Sequence, residues 1–304
     1  MDKRIKVVVV DEVSMLPKNM WELLCSHNFF IIACGDPEQL PPIQDPGQPD
    51  QNNHMLDHPH VFLDEIMRQA QESEIIRLSM HVREGKPIMS FPVANEEVMI
   101  FSKSQVQASG QYTSILTWGD QILCATNKTR IALNQQMRNV YNRRPEPEIG
   151  DKIINLHNEW DIISNKENPL TNGIIGQITE MTTCDWDYPY WIRNKKLQVP
   201  ILQATITGDE EGELFDMLSC DYSELINGKP SLTRKEEYMI LKRAHMTIPL
   251  HFSYGYAITV WKAQGSQYPK VVLFDEAWPK ESVLKRKYLY TGITRAENKL
   301  VVIQ

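Results

Sequence analysis

The residues best suited to chemistry stand at the ends of apolar runs. Asp11 and Glu12 directly follow Val7-Val8-Val9-Val10, and Gly35-Asp36-Pro37-Glu38-Gln39-Leu40-Pro41-Pro42 follows the run from Phe29 to Cys34. Acids at the tip of a buried strand are costly unless something cationic meets them. In a nucleotide hydrolase, an Asp in such a place holds Mg2+ directly or through water, and the Glu beside it orients or deprotonates the attacking water. A strand that simply ends at solvent would carry the same two acids. Gln39 offers an amide able to hydrogen-bond a γ-phosphate, although a plain Pro-rich turn has the same composition. Ligands of α/β sheets gather at the carboxyl ends of strands, so the two tips are expected to face one crevice.

Two further stretches carry the same flavour. Tyr256-Ala257-Ile258-Thr259-Val260-Trp261-Lys262-Ala263-Gln264-Gly265-Ser266-Gln267 is one, and Tyr288-Leu289-Tyr290-Thr291-Gly292-Ile293-Thr294-Arg295-Ala296, just before the last apolar run, is the other. An Arg in the place of Arg295 can stabilise phosphoryl-transfer charge from a neighbouring lobe. In this order the four stretches resemble motifs II, III, V and VI of superfamily 1B helicases of the RecD and phage Dda kind. The resemblance runs from Ile5 to Ile303. Leu63-Asp64-Glu65-Ile66-Met67-Arg68-Gln69 looks like motif IV, Cys124-Ala125-Thr126-Asn127 like the DNA-contacting motif after it, and Leu170-Thr171-Asn172-Gly173 with Gly176 like the turn opening an SH3-like insertion.

The resemblance implies an α/β fold of two RecA-like parallel-sheet domains with a β-rich SH3-like insertion in the second. It implies ATP and Mg2+ as ligands, single-stranded DNA as partner, and ATP-driven translocation, typically 5′ to 3′, with duplex unwinding. Carried over residue by residue, Asp11, Glu12, Gln39, Arg68 and Arg295 are catalytic, with Asp11 on the metal. Gly35, Asp36, Gly265, Ser266 and Gln267 contact nucleotide, and Thr126, Asn127, Thr259, Trp261 and Lys262 contact DNA. Where the family commonly has His, Ser and Glu, this chain has Trp261, Ala263 and Gln267. Gln267 would hold a ribose less firmly than an acid does. Trp261 reads either as core packing or as a base-stacking ring.

The elements that must position these residues are legible in outline. The runs Ile5 to Val10 and Phe29 to Cys34 predict strands buried on both faces of a parallel sheet. Helices are expected over about Pro17 to Ser26, Ser73 to Glu84 and Lys128 to Tyr141, and further strands at Gln121 to Thr126, Lys270 to Phe274 and Lys299 to Ile303. Between Gly150 and Arg243, short β-like pieces alternate with Asn, Gly and Asp turns, the texture of a small β-barrel. The division that follows is 1–62 for the first, incomplete RecA-like domain, 63–150 with 246–304 for the second, and 151–245 for the insertion.

One expected part is missing from the sequence. A helicase needs a phosphate-binding loop, G-x-x-x-x-G-K-[ST], upstream of motif II. The pairs Gly85-Lys86 and Gly228-Lys229 are each followed by Pro, and neither has a Gly five residues earlier. The chain thus resembles the C-terminal portion of such an enzyme, and the strand before Asp11 is expected to lack cover and to expose an apolar face or edge. Three explanations compete: the true start lies upstream, a separate N-terminal P-loop polypeptide completes the domain, or the chain is a remnant without ATPase; self-association through the incomplete sheet is expected besides. A non-enzymatic single-strand-binding or regulatory fragment is the rival reading.

Composition sets the frame for all of this. The 304 residues are 42% hydrophobic and 23% charged, enough apolar content for a core and incompatible with wholesale disorder. No apolar run approaches the ~20 residues of a spanning helix. Five scattered cysteines without CxxC spacing point to reduced thiols and a cytoplasmic setting. The net charge of −7 argues against indiscriminate nucleic-acid binding, but it is uneven. Thr205 to Leu225 holds seven acids and no bases, expected to form a solvated face turned from DNA, and Lys128 to Arg144 holds five bases and no acids, a candidate phosphate-contacting helix. Trp186, Tyr188, Tyr190 and Trp191 form either a barrel core or a single-strand platform. His54, His58 and His60 with Asp57 look superficially like a metal cluster but have no second cluster to complete a site.

Overall fold

A computed structural model describes residues 5–43, 50–63 and 72–304. Arg68 and the rest of the 64–69 stretch therefore lie outside the described residues. In chain order the regular elements are β1 (Val7–Val10), α1 (Lys18–Cys25), β2 (Phe30–Ala33), α2 (Glu74–Arg83), β3 (Val98–Phe101), α3 (Lys103–Ser109), α4 (Tyr112–Trp118), β4 (Gln121–Cys124) and α5 (Asn127–Val140). There follow β5 (Lys152–Asn155), β6 (Glu159–Ile163), β7 (Pro169–Leu170), β8 (Ile175–Tyr188), β9 (Leu197–Thr207), β10 (Leu214–Asp221), α6 (Tyr222–Asn227), α7 (Arg234–Met239), β11 (Phe252–Tyr254), β12 (Ala257–Thr259), β13 (Tyr268–Phe274), α8 (Ser282–Ile293) and β14 (Ala296–Ile303). The chain divides into two compact units, residues 1–127 with 258–304, and residues 128–257.

The first unit is built on a five-stranded sheet in the order β12-β4-β13-β14-β3. β4, β13, β14 and β3 run parallel. Their residues read as unbroken apolar runs because both faces are covered: Ile122, Leu123, Val271 to Leu273 and Leu300 to Ile303 are all buried. α8 packs closely on this sheet. A Cβ at Gly292 would stand 2.7 Å from Leu273 Cδ1, so a larger residue there would push the helix off its strand. α3 begins at a capping box in which Ser102 and Gln105 satisfy each other's backbone N–H groups.

The same unit contains the two-stranded parallel pair β1-β2, and here the structure departs from the doubly buried strands the sequence suggests. Parallel register places Val7 beside Phe30 and Val9 beside Ile32. These four are exposed, Val9 at 66% and Phe30 at 68%, while Val8, Val10, Ile31 and Ala33 alternate inward. Phe30 and Ile32 also border a hollow of about 1070 Å³ with Trp21, Met55 and Phe62. The alternation has a physical reason: among the described residues one face of this pair is left to solvent, although its composition suits cover on both faces.

The second unit is an antiparallel sheet in the order β10-β9-β8-β5-β11, with a separate β6-β7 hairpin. The long β8-β9 ladder runs from Ile178 opposite Ile206 to Tyr188 opposite Leu197. Beneath it, Tyr188, Leu197, Val199, Ile201, Leu232 and Ile240 form a core against which Trp186 packs. Half the aromatic cluster is therefore core, and only Tyr190 and Trp191 are exposed.

Two charge expectations are corrected in this unit. Glu213, Asp221 and Glu224 of the acidic run are buried rather than solvated. Glu213 accepts from Ser164 and Asn168, Asp221 caps α6 and accepts from Ser231, and Glu224 meets His251. Each is buried because local donors replace its water. In the basic run, Arg138 is buried against Asp151 with two contacts of 3.2 Å and lies 4.4 Å from the centre of the Tyr254 ring. Arg143 and Arg144 lean on Glu148. Much of that positive charge holds the unit together.

Candidate functional site

β1 and β2 deliver their C-terminal residues to one end of the pair, as parallel strands must. Asp11 is exposed there, and its Oδ1 accepts the Glu12 N–H at 2.8 Å. Glu12 adopts a left-handed conformation (φ 50°), uncommon for a residue with a Cβ, which turns its side chain inward and leaves Oε2 buried with no hydrogen-bond donor among the described residues. From the end of β2, Asp36 Oδ1 accepts the Glu38 N–H at 2.9 Å, and Asp36 Oδ2 accepts the Tyr290 hydroxyl at 2.7 Å.

Asp36, Gln39, Gln267, Tyr290, Thr294 and Arg295 line one cavity of about 460 Å³. Gln39 is buried, and its Oε1 has no donor among the described residues. Arg295 is only 6% exposed, yet its partners among the described residues are neutral. Nε donates to the Thr291 carbonyl (3.1 Å), Nη1 to the Ser266 carbonyl (3.2 Å) and Nη2 to Thr294 Oγ1 (3.2 Å). Burial pushes the guanidinium below its ordinary range, and the negative charges of Glu12 and Asp36 pull it back. Among the described residues no carboxylate touches this buried cation, and Gln39 Oε1 in the same cavity accepts no hydrogen bond, a setting that suits an anion with polar groups.

A short connection ties this cavity to the motif V turn. The Leu40 N–H donates to Thr291 Oγ1 (3.0 Å), the Leu40 carbonyl accepts from Gln264 Nε2 (3.0 Å), and the Pro41 carbonyl accepts from Trp261 Nε1 (3.2 Å). Arg286 Nη2 lies 3.2 Å from Glu38 Oε2. Residues 38–41 are thus fastened to α8 and to the turn after β12. Gly265 in that turn takes φ 80°, open to glycine without strain.

The expected DNA-contacting residues fall at two neighbouring turns. Thr126 and Asn127 follow β4, while Trp261 and Lys262 follow β12, whose last residue is Thr259. The two turns are linked by the Val260 N–H donating to the Cys124 carbonyl (3.0 Å). Trp261 packs against Trp278 and Tyr288, with ring centres at 5.4 Å and 6.4 Å. Glu276, which the motifs do not include, receives the Ala125 N–H (2.5 Å) and the Thr126 hydroxyl (3.5 Å). A signal for it exists in the sequence: Asp275-Glu276 ends the Lys270 to Phe274 strand as Asp11-Glu12 ends the first. No group of His, Cys, Asp and Glu that could hold a metal occurs among the described residues, and His54 instead pairs with Asp50 and Asp57.

A parallel-sheet unit thus carries acids at two strand tips and a buried Arg before its last strand, an arrangement that suits a phosphate-bearing ligand. Sequence profiles agree: the UvrD-like helicase C-terminal domain matches residues 254–303 and an AAA domain matches residues 1–103. The fold is similar to that of the Pif1 helicase from Candida albicans (16% identity, TM-score 0.52, covering 98% of this chain and 72% of that one). It is also similar to the Pif1 helicase from Bacteroides in complex with ADP-AlF3 and ssDNA (13% identity, TM-score 0.54, covering 98% and 70%).

Proposed function

We propose that this chain forms the greater part of an ATP-dependent DNA helicase that translocates 5′ to 3′ on single-stranded DNA, and that a phosphate-binding loop reaches it on a further segment packed over the exposed face of β1-β2. The observation that carries the reading is Arg295: buried, charged and, among the described residues, partnered only by neutral oxygens, in one cavity with Gln39 and Asp36. A triphosphate supplies the missing negative charge. Glu12 Oε2, buried without a donor, is placed to accept a hydrogen bond or a proton from water. Gln39 orients by its amide, and Arg295 takes up charge developing on the γ-phosphate. The exposed Asp11 carboxylate fits a hydrated Mg2+, which when bound neutralises phosphate charge. Gly265, Ser266 and Gln267 would stand against the nucleotide. Thr126, Asn127, Thr259, Trp261 and Lys262 would meet the DNA.

The exposed β1-β2 face gives a second reading some weight: a single-strand-binding fragment that does not turn over ATP unless completed. Labelled ATP binding and phosphate release, each with and without oligo-dT, separate the two. DNA-stimulated release supports the motor. DNA binding without ATP binding gives the second reading, and absence of both overturns each.

A further inference from the structure

We propose that Trp278 is a base-stacking residue for single-stranded nucleic acid. The inference rests on the DNA-binding reading above and adds a contact that lies outside all of the chain's helicase motifs. Three rings step outward from the core of the first unit. Tyr288 is fully buried, Trp261 is half-buried with its plane 30° from that of Tyr288, and Trp278 closes the series at 42% exposure. Trp261, itself packed on Tyr288, rests against Trp278, so the outer indole is held on one side while 42% of the residue stays open to solvent, and less freedom is left to lose on binding. Ordered aromatic faces of this kind bind successive bases with little regard to sequence.

Two neighbours indicate which ligand the face would meet. Glu276, two residues earlier in the same loop, holds Ala125 and Thr126 by hydrogen bonds, so the Trp278 loop and the 125–127 turn are one assembly at the carboxyl ends of the parallel strands β4 and β13. Trp261, which carries Trp278, donates its indole N–H to Pro41, two residues from Gln39 in the cavity. A base resting on Trp278 would thus be joined through one side chain to the connection that ends at the candidate nucleotide cavity. Trp261 gives its N–H to Pro41 and packs between two rings, so Trp278, the more exposed of the two indoles, offers the more open surface for stacking beside it.

The test uses the full chain and an oligo-dT carrying 5-iodouracil. Irradiation of the wild-type complex is expected to cross-link a peptide containing Trp278. In titrations, Trp278→Ala is expected to weaken oligo-dT binding about tenfold with an unchanged salt slope, because stacking is lost and no phosphate contact is. Trp278→Phe, which keeps an aromatic face, is expected to stay within about threefold of wild type. Wild-type binding with unaltered affinity in Trp278→Ala, and cross-links elsewhere, would overturn the assignment alone. No binding by the wild-type chain would overturn it together with the DNA-binding reading. If Trp278→Ala loses its fold by circular dichroism, the wild-type cross-link decides.

Discussion

Arg295 and His251 are both buried basic side chains, and their surroundings assign them opposite duties. Among the described residues Arg295 has only neutral acceptors, which leaves its charge for a ligand; His251 is already matched. Its Nδ1 lies 2.8 Å from Glu224 Oε2, its Nε2 lies 3.1 Å from Glu237 Oε1, and the His157 ring stands 4.6 Å away. For Arg295→Ala we expect DNA-stimulated phosphate release to fall about 10³-fold, the scale of an arginine that stabilises transferring phosphoryl charge. Arg295→Lys should recover little, because an ammonium cannot reproduce the guanidinium fork. A release rate within twofold of wild type would remove Arg295 from the site. The His251 prediction concerns stability. The Glu224 hydrogen bond raises its pKa above the usual 6.5, against the opposing effect of burial. A group whose pKa is higher folded than unfolded stabilises fully below the unfolded value, and that contribution fades as pH rises through the folded one. Melting curves should therefore show His251→Gln furthest below wild type near about pH 6, with the gap narrowing toward about pH 9. A gap that widens with pH would refute the pairing.

At the scale of elements, the connection 38–41 and the pair Arg138–Asp151 each convert local chemistry into architecture. Gln264→Leu removes a donor from the Leu40 carbonyl near the cavity while leaving Trp261 in place. We expect oligo-dT affinity to persist and the stimulation of phosphate release by DNA to drop about 5- to 100-fold, the range of ordinary coupling energies. Stimulation left intact would mean that the connection carries no signal. In the second unit, Asp151→Asn leaves Arg138 buried without its countercharge, and Tyr256 and the Glu148 N–H lose their ionised acceptor. Urea unfolding should show a loss of about 3–5 kcal/mol. These elements also show where the sequence was readable. Long apolar runs announced β13, β14 and β4 because parallel strands buried on both faces need no alternation. The helix from Lys128 to Tyr141 was visible from its periodicity, but not the destination of Arg138, which depends on an Asp that only the tertiary fold brings beside it. Glu213, Asp221 and Glu224 read as a solvated run for the same reason: sequence shows charge, and only the fold shows the Ser, Asn and His donors that let an acid be buried. In the candidate site, strand-tip acids and Arg295 were legible from their places at the ends of runs. Tyr290 holding Asp36 and Glu276 holding the 125–127 turn were not, because their partners are remote in sequence.

For the whole molecule, the question is what covers β1-β2. Val7, Val9, Phe30 and Ile32 form a contiguous apolar face, since parallel register sets them side by side in pairs. Buried, each such side chain contributes about 1.5–3 kcal/mol, and exposed together they form the kind of patch that soluble proteins seldom leave bare. The same strands end at Asp11 and Asp36, so whatever packs on the face also sits beside the candidate nucleotide cavity. Without another segment, the face itself is an apolar surface for a second copy to use. We therefore expect concentration-dependent self-association of this chain in sedimentation velocity. The double substitution Val9→Lys with Phe30→Lys should abolish it, because paired like charges cannot be buried face to face. Both side chains point outward, so the melting temperature should move by no more than a few degrees, as for substitutions away from the core. If the double variant associates as strongly as wild type, contact lies elsewhere. If the wild-type chain is monomeric at all concentrations, the bare face does not drive association. The proposal that a further segment covers it would then rest on the phosphate-site chemistry alone.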